Sequence, residues 1–256
     1  MRAPLPEAFL RLPIAHRALH DRAAGRPENS PGAIRAAIEA GYGIEIDLQL
    51  SADGVPMVFH DETLDRLTAE TGPLAARTAA ELRAIPLRDA ADTIPTLAEV
   101  LELVAGRVPL LIEIKDQDGA LGPAVGALEA ATAAALEGYG GPAAVMSFNP
   151  QSMAEMARLR PDLPRGLVTS SYDPTDWAPV PPETCARLRA IPDYDRVEAS
   201  FVSHEAPDLD RPRVAELKAQ GAAILCWTIR SPEAEALARR VAANVTFEGY
   251  RAALPA

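Results

Sequence analysis

The chain is poor in cysteine, in aromatic residues and in lysine. Cys185 and Cys226 are the only cysteines in 256 residues, too few for a disulfide framework at this size. The first residues, MRAPLPEAFLRLP, lack the apolar centre of a secretory signal. Both features point to a reducing, cytoplasmic setting. No uncharged apolar run reaches roughly 18 residues, the length of a membrane-spanning helix, so a soluble protein without stable membrane insertion is expected. Basic residues are outnumbered, 25 Lys and Arg against 36 Asp and Glu, for a formal net charge of -11. Phosphate-backbone binding needs clustered cations, which excludes nucleic acid as an expected partner. Only Lys115 and Lys218 are lysines, so a lysine inside an apolar run stands out.

What the chain does have is a repeated alternation. Short runs rich in Ile, Val, Leu and Phe recur as LPIAH, GIEIDL, VPLLIEIK, AAVMSF, RGLVTS, ASFVS, AILCWTI and NVTFE, with helix-spaced Ala, Leu, Glu and Arg segments between most of them. This describes βα units and a parallel sheet. Helix starts are marked by Ser30 before Pro31, Thr96 three residues before Glu99, and Ser231 before Pro232, which match capping and first-turn preferences. Residues 55–60 form a further apolar run, but SADG is too short to connect parallel strands. Residues 44–50 and 55–60 are therefore predicted to form an antiparallel hairpin. The remaining eight strands fit a (β/α)₈ TIM barrel with a β-hairpin extension after the second strand, as one domain over residues 1–256. An open doubly wound sheet is the main rival, and no G-x-G-x-x-G follows the first strand. Strand ends at one face are predicted near residues 16, 47, 115, 148, 169, 203, 228 and 248. The irregular SYDPTDWAPVPPE at 171–183 falls where a barrel carries a mouth loop.

Several side chains then suggest chemistry. On a strand Glu45 and Asp47 share a face with Cα atoms roughly 6.5 Å apart, a pair able to chelate one hard cation. The alternative is an ordinary edge strand with Ile44, Ile46 and Leu48 inward and the acids in water. Against that alternative, LLIEIKD repeats the pattern with Glu113 and Lys115, and acids inside a barrel must be paired or bound to metal. His16 and His60 each close an apolar run, and the hairpin turn near Asp53 and Gly54 returns residue 60 or 61 beside residues 45–47.

The ordered set HRA at 16–18, PENS at 27–30, EID at 45–47, HD at 60–61, EIK at 113–115, SF at 147–148 and WT at 227–228 resembles the glycerophosphodiester phosphodiesterase family from residue 14 to about 248. The resemblance implies a (β/α)₈ barrel that cleaves a small-molecule glycerophosphodiester to glycerol 3-phosphate and an alcohol. It implies one divalent cation on Glu45, Asp47 and Glu113, an acid and base pair in His16 and His60, and phosphate contacts from Arg17 and Lys115. Oxygen ligands suit Mg²⁺ or Ca²⁺ rather than zinc, and histidines move protons near neutral pH. Either a water or the glycerol 2-hydroxyl, through a cyclic phosphate, is the nucleophile. Either histidine of the pair can serve as the acid with the other as the base. Trp227 is read either as an apolar wall to the glycerol carbons or as a core tryptophan.

The chain departs from the family pattern at Ala18, where Gly is usual, at Arg230, where Asn is usual, and at Phe247 and Glu248, where Thr and Asp are usual. Glu28 and Asn29 either hydrogen-bond near the metal site or shape the loop before Ser30. Asp61 either orients His60 or ends the hairpin, and His204 either lines the mouth or is a bystander. Tyr172 and Trp177 form either an aromatic lid, suited to a choline ester, or an anchor for the mouth loop. The rival functions are a phospholipase C or D type activity, including lysophospholipase D, and a catalytically silent barrel.

Overall fold

The computed structural model describes residues 2–255. Nine strands form one sheet: β1 (Ile14–Ala15), β2 (Gly43–Leu50), β3 (Pro56–Val58), β4 (Leu110–Ile114), β5 (Ala143–Ser147), β6 (Arg165–Thr169), β7 (Phe201–Glu205), β8 (Ala223–Ile229) and β9 (Asn244–Phe247). All neighbours pair in parallel except β2 and β3, and β1 pairs with both β9 and β2, closing an eight-stranded parallel barrel with β3 as an antiparallel flap on β2. The helices are α1 (Ala8–Arg11), α2 (Pro31–Ala40), α3 (Ala79–Leu82), α4 (Leu97–Val104), α5 (Ala127–Ala135), α6 (Pro150–Leu159), α7 (Pro182–Arg189), α8 (Pro212–Ala219) and α9 (Pro232–Ala238). The expected caps are present: Ser30, Thr96 and Ser231 each accept a backbone N–H of the first turn, and Thr96 and Glu99 form a reciprocal capping box. A lost cap of this kind costs about 1 kcal/mol.

Residue parity explains why the strands look almost continuously apolar. In β2, Ile44, Ile46 and Leu48 pack with Ile34, Ala37, Leu97 and Val104 in the layer between sheet and helices. Gly43, Glu45, Asp47 and Gln49 therefore take the lumen side. The lower lumen is filled by Ile14, Leu111, Ala144, Met146, Val168, Phe201 and Leu225, with Phe9 of α1 among them. A Cβ at Gly166 would lie 2.3 Å from the Phe201 ring, so only glycine admits that aromatic filling. The wet-edge alternative for Glu45 and Asp47 is thus corrected: both are buried, because a barrel strand has helices on one face and packed lumen on the other and no face in water.

Strand ends differ by a few residues from those expected. The second strand runs to Leu50 rather than 47, since pairing Leu48–Leu50 with Pro56–Val58 prolongs it beyond the barrel, and the seventh reaches Glu205 rather than 203. Between β3 and α4 the chain makes an excursion with its own apolar cluster, which includes Met57, Phe59, Leu64, Leu74, Leu82 and Ile94. That cluster holds the segment carrying His60, Asp61 and Arg66 against the barrel rim. Among the described residues no helix is long and apolar enough to cross a membrane.

Candidate active site

At the C-terminal end of the barrel, Asp47 of β2 and Glu113 of β4 are register partners, and Glu45 lies one lumen position below Asp47. Carboxylate oxygens of the three buried residues lie within 4.8 Å of one another. Lys115, just past β4, bridges two of them, with Nζ 2.8 Å from Asp47 Oδ1 and 2.7 Å from Glu113 Oε1. Asn29, with φ 58°, a region asparagine tolerates better than most residues, donates from Nδ2 to Asp47 Oδ2 at 2.9 Å, while its Oδ1 accepts the Asp47 backbone N–H. The Arg17 backbone N–H donates to Glu45 Oε2 at 2.8 Å. Both Arg17 and Ala18 have positive φ, 50° and 65°, so the backbone at the usual glycine position does take the left-handed conformation, and alanine bears it.

The electrostatics show what this cluster lacks. Burial, and then the charges of Asp47 and Glu113, push the Glu45 carboxyl well above its ordinary range. For Asp47 burial acts in the same direction, but Lys115, His60 and Arg17 outweigh it and hold the group below the usual carboxylate range. Burial opposes the charge of Lys115, yet Asp47 and Glu113 keep it firmly protonated. The local cations thus outweigh burial at Asp47, whereas at Glu45 burial and the neighbouring carboxylates outweigh the pull of Lys115. Three buried oxygen donors with unbalanced negative charge fit a hard divalent cation, because such an ion takes carboxylate oxygens and supplies the missing positive charge.

Two histidines flank the carboxylates. His16 follows β1, its N–H donating to the Phe247 carbonyl at 2.9 Å, and its Nδ1 is 2.6 Å from Glu248 Oε2. His60 is delivered by the hairpin, where the Phe59 N–H donates to the Asp47 carbonyl, and its Nδ1 is 2.7 Å from Asp61 Oδ1. Each carboxylate acceptor fixes the proton on Nδ1 and leaves Nε2 free for chemistry. Asp61 is held by Arg66, Arg66 by Glu28, and Glu28 by Arg17 Nη1 at 2.8 Å. Arg17 Nε is buried without a hydrogen-bond partner among the described residues and lies 3.7 Å from Asp47 Oδ2.

Burial lowers the His16 pKa, and the Glu248 hydrogen bond and charge partly restore it. Glu248→Gln is therefore expected to lower it further. The limb of the pH dependence of kcat/KM that follows His16 should move to lower pH, with kcat reduced as the ring loses the charge of its anchor. A profile unchanged in position would show that the bond does not tune His16.

The site opens through two connected spaces. An inner cleft of about 60 Å³ is lined by His16, Arg17, the three carboxylates and Trp227. An outer pocket of about 560 Å³ shares His60, Glu113, Lys115 and Phe148 with it and adds Asp61, Glu62, Asp116, Asp176 and Trp177. Trp227 sits at the cleft, its Nε1 donating to the Ser203 carbonyl at 3.1 Å and its ring 5.5 Å from Phe148. Of the two expected loop aromatics, Trp177 lines the outer pocket, but Tyr172 is buried and donates its hydroxyl to the Val168 carbonyl, an anchor rather than a lid. His204 is a bystander, buried between Thr169 Oγ1 and Asp208 away from the cleft. Sequence reasoning missed Arg66 and the hydroxyls of Ser203 and Thr246, which line the inner cleft without hydrogen-bond partners among the described residues. No periodicity marks them, since each matters only through what it meets.

A model of the glycerophosphoryl diester phosphodiesterase family matches residues 16–246. A glycerophosphodiester phosphodiesterase of Caldanaerobacter subterraneus subsp. tengcongensis is 35% identical over 152 residues, covering 56% of this chain and 61% of that protein. The bovine glycerophosphodiester phosphodiesterase 1 is 38% identical over 115 residues, covering 40% of this chain and 33% of its own length. The chain thus matches less than two thirds of the length of these relatives. Among solved structures, an Oleispira antarctica phosphodiesterase in complex with the product sn-glycerol-3-phosphate superposes with a TM-score of 0.73 at 26% identity, covering 93% of each chain. A glycerophosphodiester phosphodiesterase of Agrobacterium tumefaciens gives 0.65 at 25% identity, covering 92% of this chain and 94% of that one.

Proposed function

Since this chain belongs to the glycerophosphoryl diester phosphodiesterase family, we propose that it hydrolyses glycerophosphodiesters to glycerol 3-phosphate and an alcohol, with His16 and His60 moving the protons. The observation that carries this reading is the convergence of three buried carboxylates with two histidines, each anchored through Nδ1 on a carboxylate. Glu45, Asp47 and Glu113 hold one divalent cation, Mg²⁺ or Ca²⁺, which when bound supplies Lewis-acid neutralisation of phosphoryl charge. Arg17 contributes to a phosphate oxygen its Nε–H, which makes no hydrogen bond among the described residues and lies 3.7 Å from Asp47 Oδ2. Lys115, an ammonium with three donors and two carboxylate partners, contributes its third.

His16 lines only the inner cleft, whereas His60 lines both the cleft and the outer pocket. This supports His16 as the base and His60 as the acid. His16 Nε2 takes the proton of the nucleophile, the glycerol 2-hydroxyl or a water, as the new P–O bond forms. The electrons of the breaking P–O bond pass to the departing alkoxide, which His60 protonates from the outer side. In the hydroxyl route water then opens the cyclic phosphate. Residues 1–256 act as one catalytic domain in this reading, and the free, buried Cys185 and Cys226 suit a reducing cytoplasm.

The outer pocket favours a small, deacylated substrate with a cationic alcohol. Glu62, Asp116 and Asp176 give it negative charge, and the Trp177 and Phe148 rings, 4.9 Å apart, give it aromatic surface. Both attract a quaternary ammonium and repel an anionic lipid surface. Cation–π attraction of about 0.5 to 2 kcal/mol converts to an expected rise of about 2- to 30-fold in KM for glycerophosphocholine in Trp177→Ala. The test is a panel of glycerophosphocholine, glycerophosphoethanolamine, glycerophosphoinositol and a lysophospholipid, each with and without EDTA. Unchanged kinetics in the variant remove the tryptophan from the site. Faster wild-type turnover of the lysophospholipid would replace this reading with a lysophospholipase D, and no turnover of any member with a silent barrel.

A further inference from the structure

A second group of metal-ligating side chains includes His16 and shares no residue with the three carboxylates. His16, His20 and Glu248 present donor atoms that all fall within 4.8 Å of one another. Glu248 Oε2 is 2.6 Å from His16 Nδ1 and 3.5 Å from His20 Nε2. The first is a hydrogen bond. The second is an ion-pair contact longer than an ordinary hydrogen bond, and His20 Nε2 is buried with no hydrogen bond of good geometry among the described residues. The other carboxylate oxygen of Glu248 is occupied by Arg230 Nε at 2.8 Å, so Oε2 alone serves both histidines.

We propose that His16, His20 and Glu248 form a regulatory site for Zn²⁺ or a similar borderline transition metal, and that occupancy of this site inhibits the enzyme by capturing His16. Two imidazoles and one carboxylate are the donor set such ions select, whereas the all-oxygen group across the cleft selects hard cations. The spacing also fits. Zinc with bonds of about 2.0 to 2.2 Å in tetrahedral geometry keeps its donors about 3.4 Å apart. The His20–Glu248 separation of 3.5 Å is close to that value, and the His16–Glu248 contact of 2.6 Å needs to open by less than an ångström once the His16 proton moves from Nδ1 to Nε2. A fourth position is available on the side of the pocket of about 440 Å³ that His20, Asp21, Arg26, Glu248, Tyr250 and Arg251 border. Binding would pin the imidazole by Nδ1 and hold its single proton on Nε2, which removes the ring as a proton acceptor.

The consequence for turnover rests on the phosphodiesterase reading, but binding does not, so the two are measured separately. Co²⁺ in place of zinc reports its own coordination: four-coordinate nitrogen and oxygen ligation absorbs strongly in the visible, six-coordinate oxygen ligation weakly. The expected result is an intense band at one equivalent of Co²⁺ in the wild type and in Glu113→Gln, lost in His20→Gln. With Mg²⁺ saturating, ZnCl₂ should inhibit the wild type, and His20→Gln should need about 10- to 100-fold more zinc, the range for a perturbed metal site, at an unchanged rate without zinc. Absence of the band in the wild type, or a band that survives in His20→Gln and disappears in Glu113→Gln, would overturn the proposal. So would zinc inhibition of equal strength in His20→Gln and the wild type.

Discussion

Alanine at position 60 is expected to lower kcat on glycerophosphocholine by about 10²- to 10⁴-fold, the usual contribution of a positioned proton donor. The same variant should lose far less on the p-nitrophenyl ester of glycerol 3-phosphate, because a nitrophenolate departs without needing a proton. His16→Ala should be slow on both substrates, since the nucleophile must lose its proton whatever leaves. The asymmetry follows from position: His60 lines the outer pocket, where the proposed function puts the alcohol, and His16 does not. Both rings are partly exposed, so neither truncation opens a core cavity, and thermal unfolding should change little. Equal losses for His60→Ala on the two esters would remove it as the acid, and wild-type rates in either variant would leave that histidine structural.

Glu113→Gln is expected to reduce metal-supported turnover by about 10²-fold or more. A bound cation contributes several kcal/mol to stabilising phosphoryl charge, and about 1.4 kcal/mol is a factor of ten in rate. Glutamine keeps the shape and still accepts from Lys115, so the substitution isolates charge. It also removes one of the negative charges that push the Glu45 carboxyl upward, so the metal-free variant should be at least as stable as the metal-free wild type. The second readout is therefore the midpoint of thermal unfolding. Mg²⁺ or Ca²⁺ should raise it in the wild type by mass action on the folded state, and the variant should need far more metal for the same shift. Full EDTA-sensitive activity in Glu113→Gln, or an undiminished metal-induced shift, would place the cation elsewhere.

Much of this site is legible from local pattern. Acids at i and i+2 within apolar runs mark lumen positions once the runs are recognised as barrel strands, and the short SADG turn forces the hairpin that returns His60 to Asp47. The two faces of β2 are not distinguishable from its letters alone, because the side under the helices is as apolar as a core. Closure of the barrel removes the ambiguity by leaving no face in water. The family departures at Arg230 and Glu248 look independent in the chain, yet they form an ion pair with each other while Glu248 holds His16.

What the sequence determined by itself is the set of strands, their order and the residue types able to hold a cation and move protons, since these depend on periodicity and composition over a few residues. The tertiary structure alone decided the partners: Glu248 on His16 across 232 positions, the Arg17–Glu28–Arg66–Asp61 chain behind His60, and Tyr172 turned inward while Trp177 lines the pocket. Those pairings depend on which strand ends and loops barrel closure brings within about 3 Å, the reach of a hydrogen bond. Short-range pattern carries no record of that distance, because the residues that meet are set by the pairing of β1 with β9 and β2 and not by their neighbours in the chain.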